Sequence, residues 1–119
     1  MEMHKAPQGR IEVSPQVVAA IAEEAVLQCY GIVGLASRRQ SGVWTQLPEA
    51  GSRGGVVVRL EGEQVVLDLY VIIEYGTRIC EVARNVMSTV KFAVEQTLGI
   101  PVGQVNVNVQ GIHLSNPQS

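Results

Sequence analysis

The chain lacks the residues from which reactive sites are usually assembled. It has two cysteines and two histidines in 119 residues. Cys29 and Cys80 form no C-x-x-C unit, and His4 and His113 stand near opposite ends, so no metal site is expected. Neither of the glycine patterns that cradle phosphates, G-x-x-x-x-G-K-S/T and G-x-G-x-x-G, occurs. Charge is scarce too. Only 17% of residues are charged and the net charge is -2, which gives no field to draw in nucleic acid or an anionic membrane. There is no run of about 18 or more consecutive apolar residues, the length a membrane-spanning helix needs. Met1 to Gln8 has no apolar stretch of the kind that marks a signal peptide. The two cysteines therefore read as reduced, buried thiols of a cytoplasmic protein.

A nucleophile or acid–base reading finds little to hold. Cys80 falls in the first turn of a helical pattern, where a thiol pKa is lowered, but Glu81 adjoins it and no histidine is near in sequence. Glu23 and Glu24 are neighbours on a helix and do not face each other. No catalytic residue, cofactor or metal is expected.

What is present is core. Hydrophobic residues make up 46% of the chain, enough for one domain without disulfide or metal staples. Residues 1–8 read as a flexible tail and 115–119 as another, with the domain at 9–114. Gly9 to Val13 alternates as a short strand. Ser14-Pro15 starts a helix, the serine capping free N–H groups and the proline losing nothing at the first position. Val18, Ile21, Ala22, Ala25 and Cys29 form its apolar stripe, and Gly31 ends it. Ile32 to Ala36 is a short strand or a packed turn.

Gly55 to Glu61 and Gln64 to Tyr75 are strands joined by a tight hairpin at Gly62-Glu63. On the second, Val65, Leu67, Leu69, Val71 and Ile73 share one face, while Val66, Asp68, Tyr70, Ile72 and Glu74 share the other. Thr77 is placed to cap a second helix over 78–98, with Ile79, Val82, Ala83, Val86, Val90, Ala93, Val94 and Thr97 inward. Gly99 and Pro101 stop it. In the last strand, Val105 to Leu114, Val105, Val107 and Val109 face in, Asn106, Asn108 and Gln110 face out, and Gly111 marks a bulge. The fold class is α+β: a single β-α-β-β-α-β domain, one mostly antiparallel sheet with two helices packed on one face.

Two surfaces stand out. Residues 37–54 form a long polar loop, of the sort that often carries function. It contains the basic group Arg38, Arg39 and Arg53 and one apolar group, Val43, Trp44 and Leu47. Trp44 either folds back onto the core or meets a partner. The second surface is the outer sheet face, Val66, Tyr70 and Ile72, flanked by Asn106, Asn108 and Gln110. Such a face needs cover from the long loop or from another subunit. The fold order also invites comparison with RNA-binding sheets. Tyr70 has no aromatic partner in an RNP-like motif, and the G-x-x-G at Gly31 to Gly34 has no basic residue inside it, so the case for nucleic acid is weak.

The second half carries a distinctive pattern. It comprises Gly55-Val56-Val57-Val58, Leu67-Asp68-Leu69-Tyr70-Val71, Glu74-Tyr75-Gly76, Glu81-Val82-Ala83-Arg84-Asn85-Val86, and Val105-Asn106-Val107-Asn108-Val109-Gln110-Gly111-Ile112. Together with Val17 to Ala25 and Gly31-Ile32-Val33-Gly34, it resembles the alkaline shock protein family of Gram-positive bacteria, also described as envelope stress response proteins. Cys80 stands where relatives commonly have proline, and Leu98 where threonine commonly precedes the glycine. The loop at 37–54 does not match well. The resemblance implies a non-enzymatic scaffold in cell-envelope homeostasis or stress response. Such a protein is a homo-oligomer and peripheral to the membrane through a membrane-anchored partner. The resemblance also admits an accessory protein of a fatty acid kinase. An RNA- or ribosome-associated module follows from fold order alone.

Overall fold

The structure, a computed structural model, describes residues 2–6, 9–36 and 52–114. Among these the elements are β1 (Glu2–Ala6), β2 (Gly9–Glu12), α1 (Pro15–Leu27), β3 (Ile32–Leu35), β4 (Ser52–Arg53), β5 (Val56–Glu61), β6 (Gln64–Glu74), α2 (Ile79–Leu98) and β7 (Val102–His113). The class is α+β, as the sequence patterning predicts. β6 is the spine of a five-stranded sheet. β7 runs parallel to β6 along its whole length. On the other side β5 pairs antiparallel with residues 64–69 of β6, and β3 with 71–73, so the two short strands lie end to end along one edge. β4 pairs with the outer side of β5.

Alternation along β6 separates the two faces. Val65, Leu67, Leu69, Val71 and Ile73 are all buried, and they meet the inner faces of both helices in one core. α1 contributes Val18, Ala19, Ala22, Ala25 and Val26, and Cys29 follows just past its end. The small side chains on that face bring the helix close to the sheet. α2 contributes Val82, Val86, Val90, Val94 and Leu98, an unbroken i, i+4 row. Ser14 accepts a hydrogen bond from the Gln16 N–H at 3.1 Å, and Pro15 opens α1 as expected. Ser14→Ala is expected to cost about 1 kcal/mol of folding stability, read from the midpoint of urea unfolding. At the far end of α2, Gly99 takes a left-handed φ of 72° and donates its N–H to Glu95 O.

Five expectations are corrected. Residues 1–8 are not all loose tail, because Glu2–Ala6 pairs antiparallel with Gly9–Glu12. Main-chain pairing forms this ribbon, and Glu2–Ala6 carries no apolar alternation that would have signalled it. The strand at Gly9–Glu12 belongs to that ribbon and not to the main sheet, whose place beside β6 is taken by β3. Thr77 does not cap α2: Arg78 holds the cap position without a side-chain capping bond, and the Thr77 hydroxyl donates to Glu74 O at 2.7 Å, closing the turn after β6. Of the two free cysteines, Cys29 is buried and Cys80 is exposed, because the 82–86–90–94–98 row turns the start of α2 outward. Residues 52–53 of the expected loop are strand β4. Residues 37–51, with Val43, Trp44, Leu47, Arg38 and Arg39, lie outside the described residues.

Candidate partner-binding surface

The face of the sheet opposite the helices carries the second set of expected contacts. Cross-strand register places Val57, Arg59 and Glu61 of β5, the even residues 66–74 of β6, and Gln104, Asn106 and Asn108 of β7 on it. A polar network crosses three strands. Arg59 Nε donates to Asp68 Oδ2 at 2.8 Å, and Asn106 Nδ2 donates to Asp68 Oδ1 at 2.8 Å. Gln104 Nε2 donates to Asn106 Oδ1 at 2.8 Å, and Arg59 also bonds Glu61. Asn108 Nδ2 reaches the carbonyl of Leu69 at 3.2 Å. Both oxygens of Asp68 are thus engaged, one by each neighbouring strand.

The hydrogen bond and charge of Asp68 raise the Arg59 pKa above its ordinary value. A raised value means the charged pair is fully formed below the arginine range and is lost only as pH climbs through it. Moderate alkalinity therefore leaves the arginine side of this network unchanged. Asp68→Ala removes the acceptor of Asn106, a half-buried side chain. It is expected to cost about 1 kcal/mol, measured by urea unfolding.

This network changes the reading of the face. Val66, expected as a contact, is only 4% exposed. It stands opposite Arg59 on one side and Gln104 on the other, the two polar side chains that flank it. The surface on offer is Tyr70 and Ile72, both half-buried. Tyr70 sits at the junction of the two short strands: its N–H donates to Gly55 O at 2.8 Å, and its C=O accepts from Ala36 N–H at 2.7 Å. Ala36 and Ser52 bound residues 37–51: the Ala36 N–H is held by Tyr70 O, and Ser52 pairs with Val57 on the outer side of β5.

Two exposed apolar groups were not singled out from the sequence. Phe92 is 65% exposed beside a groove of about 440 Å³ between α1 and α2, with Ala20, Ile21, Ala25 and Ala93 in its lining. At the end of the sheet, Tyr30, Tyr75, Ile79 and Ile112 are exposed around the Gly76-Thr77 turn. The signal for Phe92 was there, since it falls off the i, i+4 row of α2. Among the described residues no group of three or more His, Cys, Asp or Glu is placed to hold a metal ion. None of the described helices is long and apolar enough to cross a membrane.

Comparison with known proteins fits this architecture to relatives. A sequence model of the alkaline shock protein 23 family, described as having a cell envelope-related function, matches residues 3–114. The chain is 47% identical over 111 residues to the uncharacterized protein YloU of Bacillus subtilis (strain 168), covering 92% of each. It is 34% identical over 106 residues to the uncharacterized protein Spy1614 of Streptococcus pyogenes serotype M6, covering 87% of this chain and 88% of that one. A solved structure of a MamM CTD variant aligns with a TM-score of 0.50 at 16% identity, over 81% of this chain and 95% of the other. That likeness concerns the fold alone. The chain belongs to the alkaline shock protein 23 family, whose function is cell envelope-related.

Proposed function

We propose that this protein is a non-enzymatic binding component of cell-envelope homeostasis. In this reading it self-associates and is held at the membrane by a membrane-anchored protein. The observation that carries it is the sheet face away from both helices, where Tyr70 and Ile72 stand half-buried. An aromatic side chain on a hydrogen-bonded strand backbone offers large contact area at low ordering cost. The anchored Arg59–Asp68–Asn106 network gives that apolar spot a polar rim with defined geometry. Trp44, with Val43 and Leu47, belongs to the segment that follows Ala36, whose N–H bonds Tyr70 O, and we assign it to the same contact.

The test is affinity capture from a detergent-solubilised membrane fraction with the wild-type chain, Tyr70→Ala and Trp44→Ala. The reading expects a membrane protein to be recovered by the wild type and depleted at least about tenfold by Tyr70→Ala, a loss of about 1.4 kcal/mol in binding. Equal recovery by all three chains would rule out this contact surface.

A further inference from the structure

Among the described strands, β7 is the outermost on its side of the sheet. It pairs inward with β6 from Val102 to His113, and no described strand lies beyond it. An open edge presents a row of main-chain N–H and C=O groups, which proteins blunt with charges, prolines or bulges. From Val102 to Ile112 this strand has neither a charge nor a proline. Its irregularities are at the two ends: register shifts between Val102 and Gln104, and again between Val109 and Gly111. The stretch between, Gln104 to Val109, pairs with β6 without interruption.

That stretch and the residue after it read Gln104-Val105-Asn106-Val107-Asn108-Val109-Gln110, the same in both directions about Val107. A second copy laid antiparallel along this edge, with the two-fold axis at Val107, meets like with like. Val105 faces Val109, Asn106 faces Asn108, and Gln104 faces Gln110. Opposed residues of an antiparallel pair share a face of the sheet. The valines would therefore line the helix side and the amides the open side. A symmetric interface also sets any charge near its axis against a like charge, and this strand has none there.

Burial points the same way. Leu69 and Val71 of β6 are 0% exposed, whereas their neighbours Val107 and Val109 on β7 are only half-buried. The apolar layer beneath the helices thins at β7, and the valines of a second copy would continue it. We infer that two copies of this chain join β7 to β7, antiparallel about Val107, into one continuous sheet. This rests on the self-association in the function proposed above and names its surface.

The test uses the full chain. Sedimentation velocity is expected to find a dimer for the wild type. In a Cys80→Ser background, Val107→Cys faces itself across the axis. Directly opposed residues stand about 4.5–5.5 Å apart between Cα atoms, within the span of a disulfide. Mild oxidation should therefore link that variant into a covalent dimer. Val105→Cys in the same background would lie roughly 13 Å from its counterpart and stay unlinked. Asn106→Lys combined with Asn108→Lys sets lysine against lysine and should abolish the dimer, with circular dichroism reporting that the variant is folded. If it does not fold, the cysteine pair decides. A wild type that is monomeric at every concentration overturns self-association itself. A dimer that survives the lysines, or that links as readily at 105 as at 107, overturns the β7 pairing and leaves self-association standing.

Discussion

Gly55→Ala is expected to lower folding stability by about 3 kcal/mol, enough to take much of the margin of a domain this size. Gly55 has φ +79°, where an L side chain is strained. A Cβ there would stand 2.7 Å from Ala36 O, 2.9 Å from Leu35 Cβ and 2.9 Å from Tyr70 O. Two of these are main-chain oxygens, and Tyr70 O accepts the Ala36 N–H that ties the end of β3 to β6. They cannot swing aside as the end of a flexible side chain would. The contrast is Gly54→Ala, where φ is +37° and nothing lies within 4 Å of the added carbon. That change adds only backbone strain, about 1 kcal/mol. Urea unfolding of the two variants measures the difference. The junction also fixes Tyr70, so mild destabilisation short of unfolding should weaken partner capture in step.

Leu69→Ala carries the second large effect, about 3–5 kcal/mol. Leu69 is 0% exposed at the middle of β6, paired with Val56 on one side and Val107 on the other, under both helices. Its truncation removes apolar contact and leaves a hole that strands and helices only partly close. Ile72, three residues on and pointing to the other face, is half-buried, and Ile72→Ala should cost less than half as much. The same experiment thus measures how strongly the helices distinguish the two sides of one strand. The expected pattern is a steep cost at odd positions of β6 and a shallower one at the half-buried even positions 70 and 72.

Local signals were legible in the sequence and non-local pairings were not. Ser14-Pro15 and Gly99 mark helix ends by chemistry that acts within one turn, and both do so in the structure. The alternation of β6 is strong enough to name its two faces residue by residue. The hairpin at Gly62-Glu63 follows from two strands separated by two residues. By contrast, nothing local says that Gly9–Glu12 pairs with the polar Glu2–Ala6 instead of joining the main sheet. Nor does it say that Ile32–Leu35 extends the line of β5 along β6. Those outcomes depend on which edge is free once the core has formed.

The site follows the same division. Tyr70 and Ile72 were placed correctly on the outer face because period two fixes facing. The burial of Val66 was missed, because it stands between Arg59 and Gln104, which approach from separate strands far apart in sequence. Cys80 was expected inside because the apolar pattern at the start of α2 is broad. The structure narrows the buried row to Val82, Val86, Val90, Val94 and Leu98, leaving Ile79 and Cys80 outside. The family pattern, spread from Gly55 to Ile112, supplied the functional class that no cluster of side chains would have supplied.

The claim most exposed to test is that the sheet face, and not the groove between the helices, meets the partner. Hydroxyl-radical footprinting of the chain, free and in complex with the captured membrane protein, reads both surfaces at once. The account predicts that Tyr70 and Ile72 lose reactivity in the complex while Phe92 keeps it. Protection of Phe92 with Tyr70 unchanged would contradict it.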